Sequence, residues 1–304
     1  MAEFIVRRLF HAMFVMLAVS LVVFLLLHLG GDPATRMVSD EASPEDVQRV
    51  REQMGFDRPL PVQYGLFLGR VAQGDFGYSY RNHQPAFSLI LERAPATLRL
   101  LLATVTVSLL IAFPIGIIAA VKRNSWIDRL TMTVVVFGHS MPTFWFGIML
   151  IFFVSVRLGW LPTSGYDGPH YLILPALTLG FYTSAVIARL LRSSLIEVFS
   201  RDYVRTARAK GIREPAILLR HALRNAALPV VTVIGLQVGF LAGGSIVTET
   251  VFGYPGMGLL AINSIRAQDI PVVQAFVISL SGIIVFVNLI VDILYTYLDP
   301  RVRY

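Results

Sequence analysis

Few residues in this sequence have the types and spacing that catalysis needs. The six histidines stand singly along the chain, so structural or solvated roles suit them better than metal binding or proton transfer. Residues 138–142 (GHSMP) begin like the turn that exposes a nucleophilic serine, but the second glycine is missing and the surrounding stretch is apolar. The sequence has no H-E-x-x-H pair, no G-x-x-x-x-G-K-[ST] loop and no cysteine. These absences exclude a zinc protease of that type, a P-loop ATPase and a thiol enzyme.

The composition is that of a membrane protein. Of the 304 residues, 55% are hydrophobic and 15% are charged, against roughly 45–50% and about 25% in soluble domains. The apolar residues also come in long runs. A net charge of +7 in such a chain is typical of cytoplasmic loops rather than of nucleic-acid binding. We therefore expect contact with membrane lipid and none with nucleic acid.

Six stretches are long and apolar enough to cross a bilayer, which takes about 20 residues. They are 9–29, 98–121, 132–156, 172–191, 230–248 and 272–298. The first follows two arginines, as a signal peptide would, but its length and the lack of an A-x-A-like cleavage site favour a retained span. Pro114 and Pro142 predict kinks in the second and third spans. The sequence therefore predicts an all-α, polytopic membrane protein.

The arginines and lysines predict the orientation of these spans. With the N-terminus inside, sixteen of the 26 lie on the inner side, and only Arg157 and Arg266 lie in the two short outer loops. The other eight fall in the long segment between the first two spans, where charge has little influence on topology. We therefore predict that both termini are cytoplasmic.

The long outer segment between the first two spans predicts two short helices. Ser43 has the features of an N-cap, Pro44 follows at the first helical position, and Gly55 marks the end. A second helix runs from Pro61 to Gly74, and its inward face comprises Tyr64, Phe67, Leu68 and Val71. We expect a small helical cap on the outer face, with a disordered loop as the alternative.

Small residues recur at every fourth position in three of the spans. They are Ala112, Gly116 and Ala120; Ala176, Gly180, Ser184 and Ala188; and Gly235, Gly239 and Gly243. Such spacing lets helix backbones approach closely in a bilayer, where burial of apolar surface does not drive association. The strips indicate either packing inside the bundle, or a face towards a second membrane subunit or a narrow passage. Gln237, a polar residue at membrane depth, is a candidate for the same passage.

The loop between the fourth and fifth spans is strongly basic and has helix signals. Residues 192–225 contain eight basic and three acidic side chains. Asp202 and Gly211 have the features of the start and end of a short helix, and Glu214 and Pro215 begin a second one. Two short helices with a glycine bend would form a compact knob. A basic amphipathic loop lying on anionic lipid is the alternative.

This loop resembles that of a known family. Residues 203–211 (YVRTARAKG) and 219–230 (LRHALRNAALPV) closely resemble the EAA loop of binding-protein-dependent ABC importer permeases, in the branch for dipeptides, oligopeptides, glutathione or nickel. The stretches 75–79 (DFGYS), 93–98 (RAPATL), 249–258 (ETVFGYPGMG) and 299–301 (DPR) fit the same branch. Arg205, Thr206 and Ala207 replace the Glu-Ala-Ala of the general pattern, and the spacing from Gly211 to Pro229 is longer. Both departures are usual in this branch.

The resemblance implies a type I ABC importer permease with six transmembrane helices and a small periplasmic helical cap, in the inner membrane of a bacterium. It implies a pore shared with a second, homologous permease, two cytoplasmic ATPases, and an extracytoplasmic substrate-binding protein that delivers peptides. This chain would then carry no catalytic residue, metal or cofactor, because ATP and magnesium would bind the ATPases. The chain would divide into 1–30, with the first span; 31–96, outside the membrane; and 97–304, the permease core with the coupling loop 192–229.

The first helix of the loop would dock in a cleft of an ATPase and couple ATP hydrolysis to alternating access. The residues that the resemblance assigns to this coupling helix are Asp202, Tyr203, Val204, Arg205, Thr206, Ala207, Lys210 and Gly211. Five of them would make the contact itself, namely Tyr203, Val204, Thr206, Ala207 and Lys210. Gly211 would allow the bend that follows.

The segment 244–258, between the last two spans, is a candidate gate. It carries one acid, Glu249, followed by a run rich in glycine and proline that cannot continue a helix. We expect a re-entrant loop over the passage, because irregular backbone at membrane depth must be covered by protein or line a cavity. Phe252, Tyr254 and Met257 would form its apolar plug. The alternative is an ordinary exposed turn.

Two other classes of function compete with a permease subunit. A secondary transporter or channel would show internal repeats with unwound half-helices, and the two halves of this sequence show no convincing repeat. An intramembrane hydrolase would need the nucleophile–base or metal sets that are missing. A neighbouring pair of genes, for a homologous permease and for Walker-motif ATPases, would discriminate the permease from both.

Overall fold

The computed structural model describes residues 2–29, 34–35 and 43–298. The regular secondary structure in this part of the chain is helical, and the only strand-like pairing there is an isolated bridge between Tyr78 and Pro85. The helices are α1 (Ala2–Leu29), α2 (Pro44–Met54), α3 (Leu60–Ala72), α4 (Ala86–Val121), α5 (Trp126–Ser140), α6 (Thr143–Leu150), α7 (Ile173–Phe199), α8 (Asp202–Ala209), α9 (Leu223–Val251), α10 (Met257–Arg266) and α11 (Ile270–Leu298). The predicted all-α class is confirmed.

Four helical stretches are long and apolar enough to cross a bilayer. They are Val6–Leu25, Ala86–Val121, Pro169–Phe199 and Ile270–Val291. Two bent helix pairs also qualify when each pair is taken together, Trp126–Ser140 with Thr143–Arg157, and Glu214–Ala227 with Pro229–Gln237. Counting each pair as one span gives six within the described residues, in agreement with the six predicted stretches.

The third predicted span is not one kinked helix. The chain bends by 103° between α5 and α6. The reason lies at Pro142, which lacks an N–H and keeps the preceding residue out of the helical region, so that Met141 is extended with φ −79° and ψ 137°. Pro142 then precedes the first residue of α6. In contrast, α4 continues through Pro114 without interruption.

The described residues before position 96, together with 260–285, form one of two compact units. The predicted helix start at Ser43 is confirmed, because its hydroxyl accepts a hydrogen bond from the Asp46 N–H and the Asp46 carboxylate accepts one from the Ser43 N–H. Gly55 ends α2 with a left-handed backbone, φ 72°. The core of this unit contains Phe24, Phe67 and Ile278. Much of the predicted segment between the first span and Ser43 lies outside the described residues.

A buried carboxylate holds the 79–80 backbone of the same unit in place. Asp269, 1% exposed, accepts hydrogen bonds from the Ser79 hydroxyl at 2.5 Å and from the Tyr80 N–H at 3.2 Å. Asp269 directly precedes α11. These hydrogen bonds connect the segment that follows α3 with the start of α11. Ser79 and Asp269 are 190 residues apart in the sequence, so no local pattern predicts the contact.

Residues 96–259 and 286–298 form the second unit, in which α7 is the central helix. The small residues of α4 and α7 face neighbouring helices. A Cβ at Gly116 would lie 2.9 Å from the carbonyl oxygen of Ala188, and one at Gly180 would lie 3.2 Å from that of Thr104. Close packing inside the bundle, the first of the two explanations for these strips, is therefore correct for α4 and α7.

The three glycines of α9 do not share one environment. A Cβ at Gly235 would lie 2.3 Å from Cγ1 of Val291 on α11, so this glycine is required by a close helix contact. Gly239 is half-buried. At Gly243 no described atom lies within 4 Å of the Cβ position. The strip is thus an internal contact at one end and an open surface at the other.

We predict that Gly235→Ala lowers the thermal stability of the detergent-solubilised protein. Val291 cannot turn away, because its own Cβ would lie 2.8 Å from the new methyl group, and the forced separation should cost about 1–3 kcal/mol. Gly243→Ala, in the same helix, is the matched control and should stay within about 0.5 kcal/mol of the parent. The loss of the monodisperse size-exclusion peak on heating measures both. Equal shifts for the two variants would contradict the packing described.

Candidate functional site

The predicted knob is present between α7 and α9. The helix α7 continues to Phe199, beyond the predicted end of the fourth span, and α8 follows after a two-residue turn. After α8 the chain turns at Gly211 and forms a short helical turn, Glu214–Ala216, and then π-helical turns, Ile217–Ala222, which lead into α9. We call residues 200–222 the knob.

The knob has a small core of its own. Val204 and Ile217 are fully buried and Ala207 is 8% exposed, and they pack against Val198 and Phe199 at the end of α7. Two of the residues that the resemblance assigns to the ATPase contact, Val204 and Ala207, therefore hold the knob on α7 and contribute no exposed surface in this structure. Val204 and Ala207 are buried together because residues three positions apart lie on the same face of a helix.

The other assigned residues lie on the surface of α8. Asp202, Tyr203, Arg205, Thr206 and Lys210 are exposed. The hydroxyl of Tyr203 accepts a hydrogen bond from the Asn225 side-chain amide at 2.8 Å, which fixes the ring against the start of α9. The side chain of Thr206 is exposed, and its hydroxyl donates to the Asp202 carbonyl at 3.0 Å. Thr206, Asp202 and Arg205 therefore belong to the exposed surface of α8.

A glycine and an ion pair shape the bend after α8. Gly211 has a left-handed backbone, φ 75°, as the predicted bend requires, and a Cβ there would meet no described atom within 4 Å. Across the bend the Arg208 guanidinium donates to both carboxylate oxygens of Glu214, at 2.7 and 3.2 Å. The pair therefore links the end of α8 to the helical turn that follows the bend.

The second candidate site differs from the predicted loop in its length. The helix α9 continues to Val251, beyond Thr248, where the predicted fifth span ends, and only residues 252–256 separate it from α10. Gly244 does not break the helix, because glycine lacks the steric and hydrogen-bonding defects of proline, and the first proline of the segment is Pro255. Gly253 supplies the left-handed backbone of the turn, φ 56°. We call residues 252–256 the 252–256 turn.

The side chain of Glu249, near the end of α9, connects the two sides of this turn. Its side chain is fully buried, and one carboxylate oxygen accepts hydrogen bonds from the N–H groups of Gly258 and Leu259 at 2.7 and 3.0 Å. The other oxygen accepts one from the Thr97 hydroxyl at 2.7 Å, and that hydroxyl accepts one from the Met257 N–H at 2.8 Å. Glu249 and Thr97 together satisfy the free N–H groups at the start of α10 and connect α4, α9 and α10.

Gly256 is required by the position of this carboxylate. A Cβ at Gly256 would lie 2.3 Å from the carboxyl carbon of Glu249, so any side chain at this position would displace the acid. Gly258 is similarly confined, since its Cβ would lie 2.6 Å from the Cα of Ile246. Gly256 therefore leaves room for the Glu249 carboxylate, and Gly258 leaves room for the backbone of α9.

The predicted plug residues are buried in the core of this unit. Phe252, Tyr254 and Met257 are 3%, 1% and 0% exposed. The Gly165 N–H donates to the Phe252 carbonyl at 3.2 Å, and the ring of Tyr254 packs edge-on against that of Tyr166. The exposed-turn alternative is therefore wrong. That these residues gate a passage stays a prediction, because here they contact the chain's own core.

The remaining path candidates lie further along α9. Gln237 and Gly239 are half-buried, and Gly243 is exposed. The sequence does not predict the role of Thr97, although it lies in one of the characteristic stretches; its position two residues after Pro95 is the available signal. Among the described residues no group of three or more His, Asp or Glu side chains could hold a metal ion.

Comparison with known proteins identifies the family. Residues 112–304 match the family described as binding-protein-dependent transport system inner membrane component, and residues 1–101 match the N-terminal part of such membrane components. The chain belongs to this family. The glutathione transport system permease protein GsiC of Escherichia coli is 45% identical over 305 residues, with 100% of both chains covered, and that of Salmonella paratyphi A is 46% identical over the same length. The chain is thus an ABC importer permease of the peptide and glutathione branch.

Solved structures show the same fold at low sequence identity. The inward-facing MetNI methionine ABC transporter matches with a TM-score of 0.61 and 19% identity, over 69% of this chain and 96% of that chain. An amino acid ABC transporter crystallised with histidines matches with a TM-score of 0.52 and 16% identity, over 71% and 94%. The fold is therefore that of a type I importer permease. Members of the family are multi-pass inner-membrane transport subunits rather than enzymes, and separate subunits hydrolyse ATP.

We predict that Glu249→Leu destabilises the protein strongly. The N–H groups of Gly258 and Leu259 would lose their acceptor, at about 1–3 kcal/mol for each buried donor, whereas Glu249→Gln keeps an acceptor and should cost less. Thr250→Val is the neighbouring control, because its hydroxyl donates only within α9, to the carbonyl of Ile246. The yield and melting temperature of the purified subunit measure the effect. A leucine variant as stable as the control would show that Glu249 does not hold the turn.

Proposed function

We propose that this chain forms half of the pore of an ATP-driven importer that takes up short peptides of the glutathione class. The observation that carries the proposal is 45% identity to a glutathione permease over the full length of both chains. The second half of the pore would be a homologous permease. The substrate would arrive from an extracytoplasmic binding protein, and ATP and magnesium would bind two ATPases, leaving this chain without a cofactor.

In this proposal the knob is the docking site for an ATPase. Its exposed surface around Thr206 supports such a contact, because Val204, Ala207 and Ile217 fill its core while Asp202, Arg205 and Thr206 stay exposed. Closure of the ATPase pair would push the knob towards its counterpart on the partner permease. The knob and both termini would then be cytoplasmic, as the distribution of arginine predicts.

The 252–256 turn would lie at the opposite end of the same unit and respond to that movement. A turn held by a few hydrogen bonds to one carboxylate has two discrete states, made and broken, which suits a gate better than a continuously deformable loop. Its glycines allow the backbone change, and its buried aromatic side chains would close the passage in the resting state.

We predict that a cysteine at Thr206 cross-links to an ATPase subunit and that a cysteine at Ala207 does not. The two positions are adjacent on α8, but Thr206 is exposed and Ala207 is buried in the knob. The native chain has no cysteine, so each variant reports a single site. The test is disulfide or bismaleimide cross-linking in membranes that contain the whole complex, with cysteines placed along the ATPase surface. Labelling of Thr206→Cys by lipid-soluble reagents alone would favour the loop on lipid instead.

The substrate proposal has its own test. Proteoliposomes that contain both permeases and the ATPases, with the binding protein added outside, should accumulate labelled glutathione in an ATP-dependent manner. Unlabelled glutathione should compete fully, whereas a nickel salt should not. ATP-dependent uptake of nickel with no effect of glutathione would place the chain with the nickel transporters of the same branch and contradict the proposed substrate.

A further inference from the structure

A buried ion pair connects the end of α7 with the start of α5. The Arg192 guanidinium donates through Nε and one terminal nitrogen to the two carboxylate oxygens of Asp128, each at 2.7 Å. Asp128 is 4% exposed, and the Arg192 side chain is 24% exposed. Two parallel bonds from a planar fork fix both the distance and the relative rotation of the two helices.

Asp128 also forms hydrogen bonds with the residues that precede α5. Ser125 is the N-cap of α5 and its hydroxyl accepts a hydrogen bond from the Asp128 N–H, while the carboxylate accepts one from the Asn124 N–H at 2.9 Å. Asn124 itself has a left-handed backbone, φ 64°. The carboxylate thus organises the whole connection between α4 and α5, and Arg192 attaches this connection to α7.

Arg192 lies close to the knob along the same helix. Two turns further, Val198 and Phe199 of α7 form the floor on which Val204 and Ile217 of the knob pack. A displacement of the knob is therefore passed to α7, and through the ion pair to the start of α5.

We propose that the Asp128–Arg192 pair is a positioning element that transmits movement of the knob to α5, so that its loss uncouples ATP hydrolysis from transport. This inference rests on the proposed function, in which the knob receives that movement from an ATPase. It assigns a role to residues that bind neither substrate nor nucleotide. The pair also sits apart from the docking face, so ATPase binding should survive its removal.

The test compares three variants in the complete reconstituted complex. Arg192→Gln and Asp128→Asn remove the ion pair, while Arg192→Lys keeps the charge but cannot make two parallel bonds. Reversing both charges is avoided, because an arginine at position 128 would face the unsatisfied N–H groups at the start of α5. Glu197→Gln is the matched control, since it breaks an exposed ion pair with Arg201 at the same end of α7.

The measured quantity is substrate transported per ATP hydrolysed, together with the amount of ATPase that co-purifies. We expect the pair-breaking variants to transport about two- to thirtyfold less per ATP than the parent, Arg192→Lys to be intermediate, and Glu197→Gln to equal the parent. ATPase association should be unchanged in all of them. An unchanged ratio in Arg192→Lys and in either pair-breaking variant would overturn the proposal.

Two further outcomes are also decisive. If hydrolysis and transport fall in parallel in an intact complex, the pair affects the ATPase itself, and the transmission role is wrong. If the complex with Arg192→Gln fails to assemble, the transport ratio of Arg192→Lys decides the question. Lysine keeps the positive charge beside Asp128, so only the hydrogen-bond geometry of the pair changes. Failure of the proposed function would look different, since the parent complex itself would then show neither ATPase cross-linking at Thr206→Cys nor ATP-dependent uptake.

Discussion

The close packing of α7 against its neighbours is the constraint on which the second unit depends. In a bilayer the burial of apolar surface does not drive helices together, so contact must come from backbones that approach closely. Gly116 and Gly180 allow this at the α4–α7 contact. The 27 residues of α7, about 40 Å at the usual helical rise, begin beside the core of the 252–256 turn and end in the floor of the knob. Both candidate sites are therefore built on one helix.

Two buried carboxylates solve the same physical problem at different places. Each lies at the start of a helix, where N–H groups lack partners: Asp128 at α5 and Glu249 at α10. A buried charge is costly unless it is paired and hydrogen-bonded, and each carboxylate has several donors. The difference lies in the donors. Asp128 is held by an arginine and can transmit force between helices, whereas Glu249 is held by N–H groups and a hydroxyl, which a modest backbone movement would release.

The sequence predicted what depends on local patterns. The cap at Ser43, the stop at Gly55 and the bend at Gly211 follow from side-chain and backbone preferences within a few residues, and all three are present. The break at Pro142 was expected only as a kink, because its angle depends on the neighbours of α5 and α6. The sequence predicts a fourth span that ends at Leu191, and so it does not predict the burial of Val204 and Ala207. In the structure α7 continues to Phe199 and supplies the surface that covers them. The partners of Glu249 are more distant still, since Thr97 lies 152 residues away.

The central claim is that nucleotide-driven movement at the knob reaches the 252–256 turn through α7. Hydrogen–deuterium exchange of the native complex tests it without any substitution, because the N–H groups of Tyr254 and Gly258 donate to Glu249 and that of Met257 donates to Thr97. We expect the peptide that contains these residues to exchange slowly in the nucleotide-free complex and faster after trapping with ATP and vanadate. The α8 peptide should stay protected by the ATPase in both states. Equally slow exchange of the turn peptide in both states, with α8 protected, would contradict it.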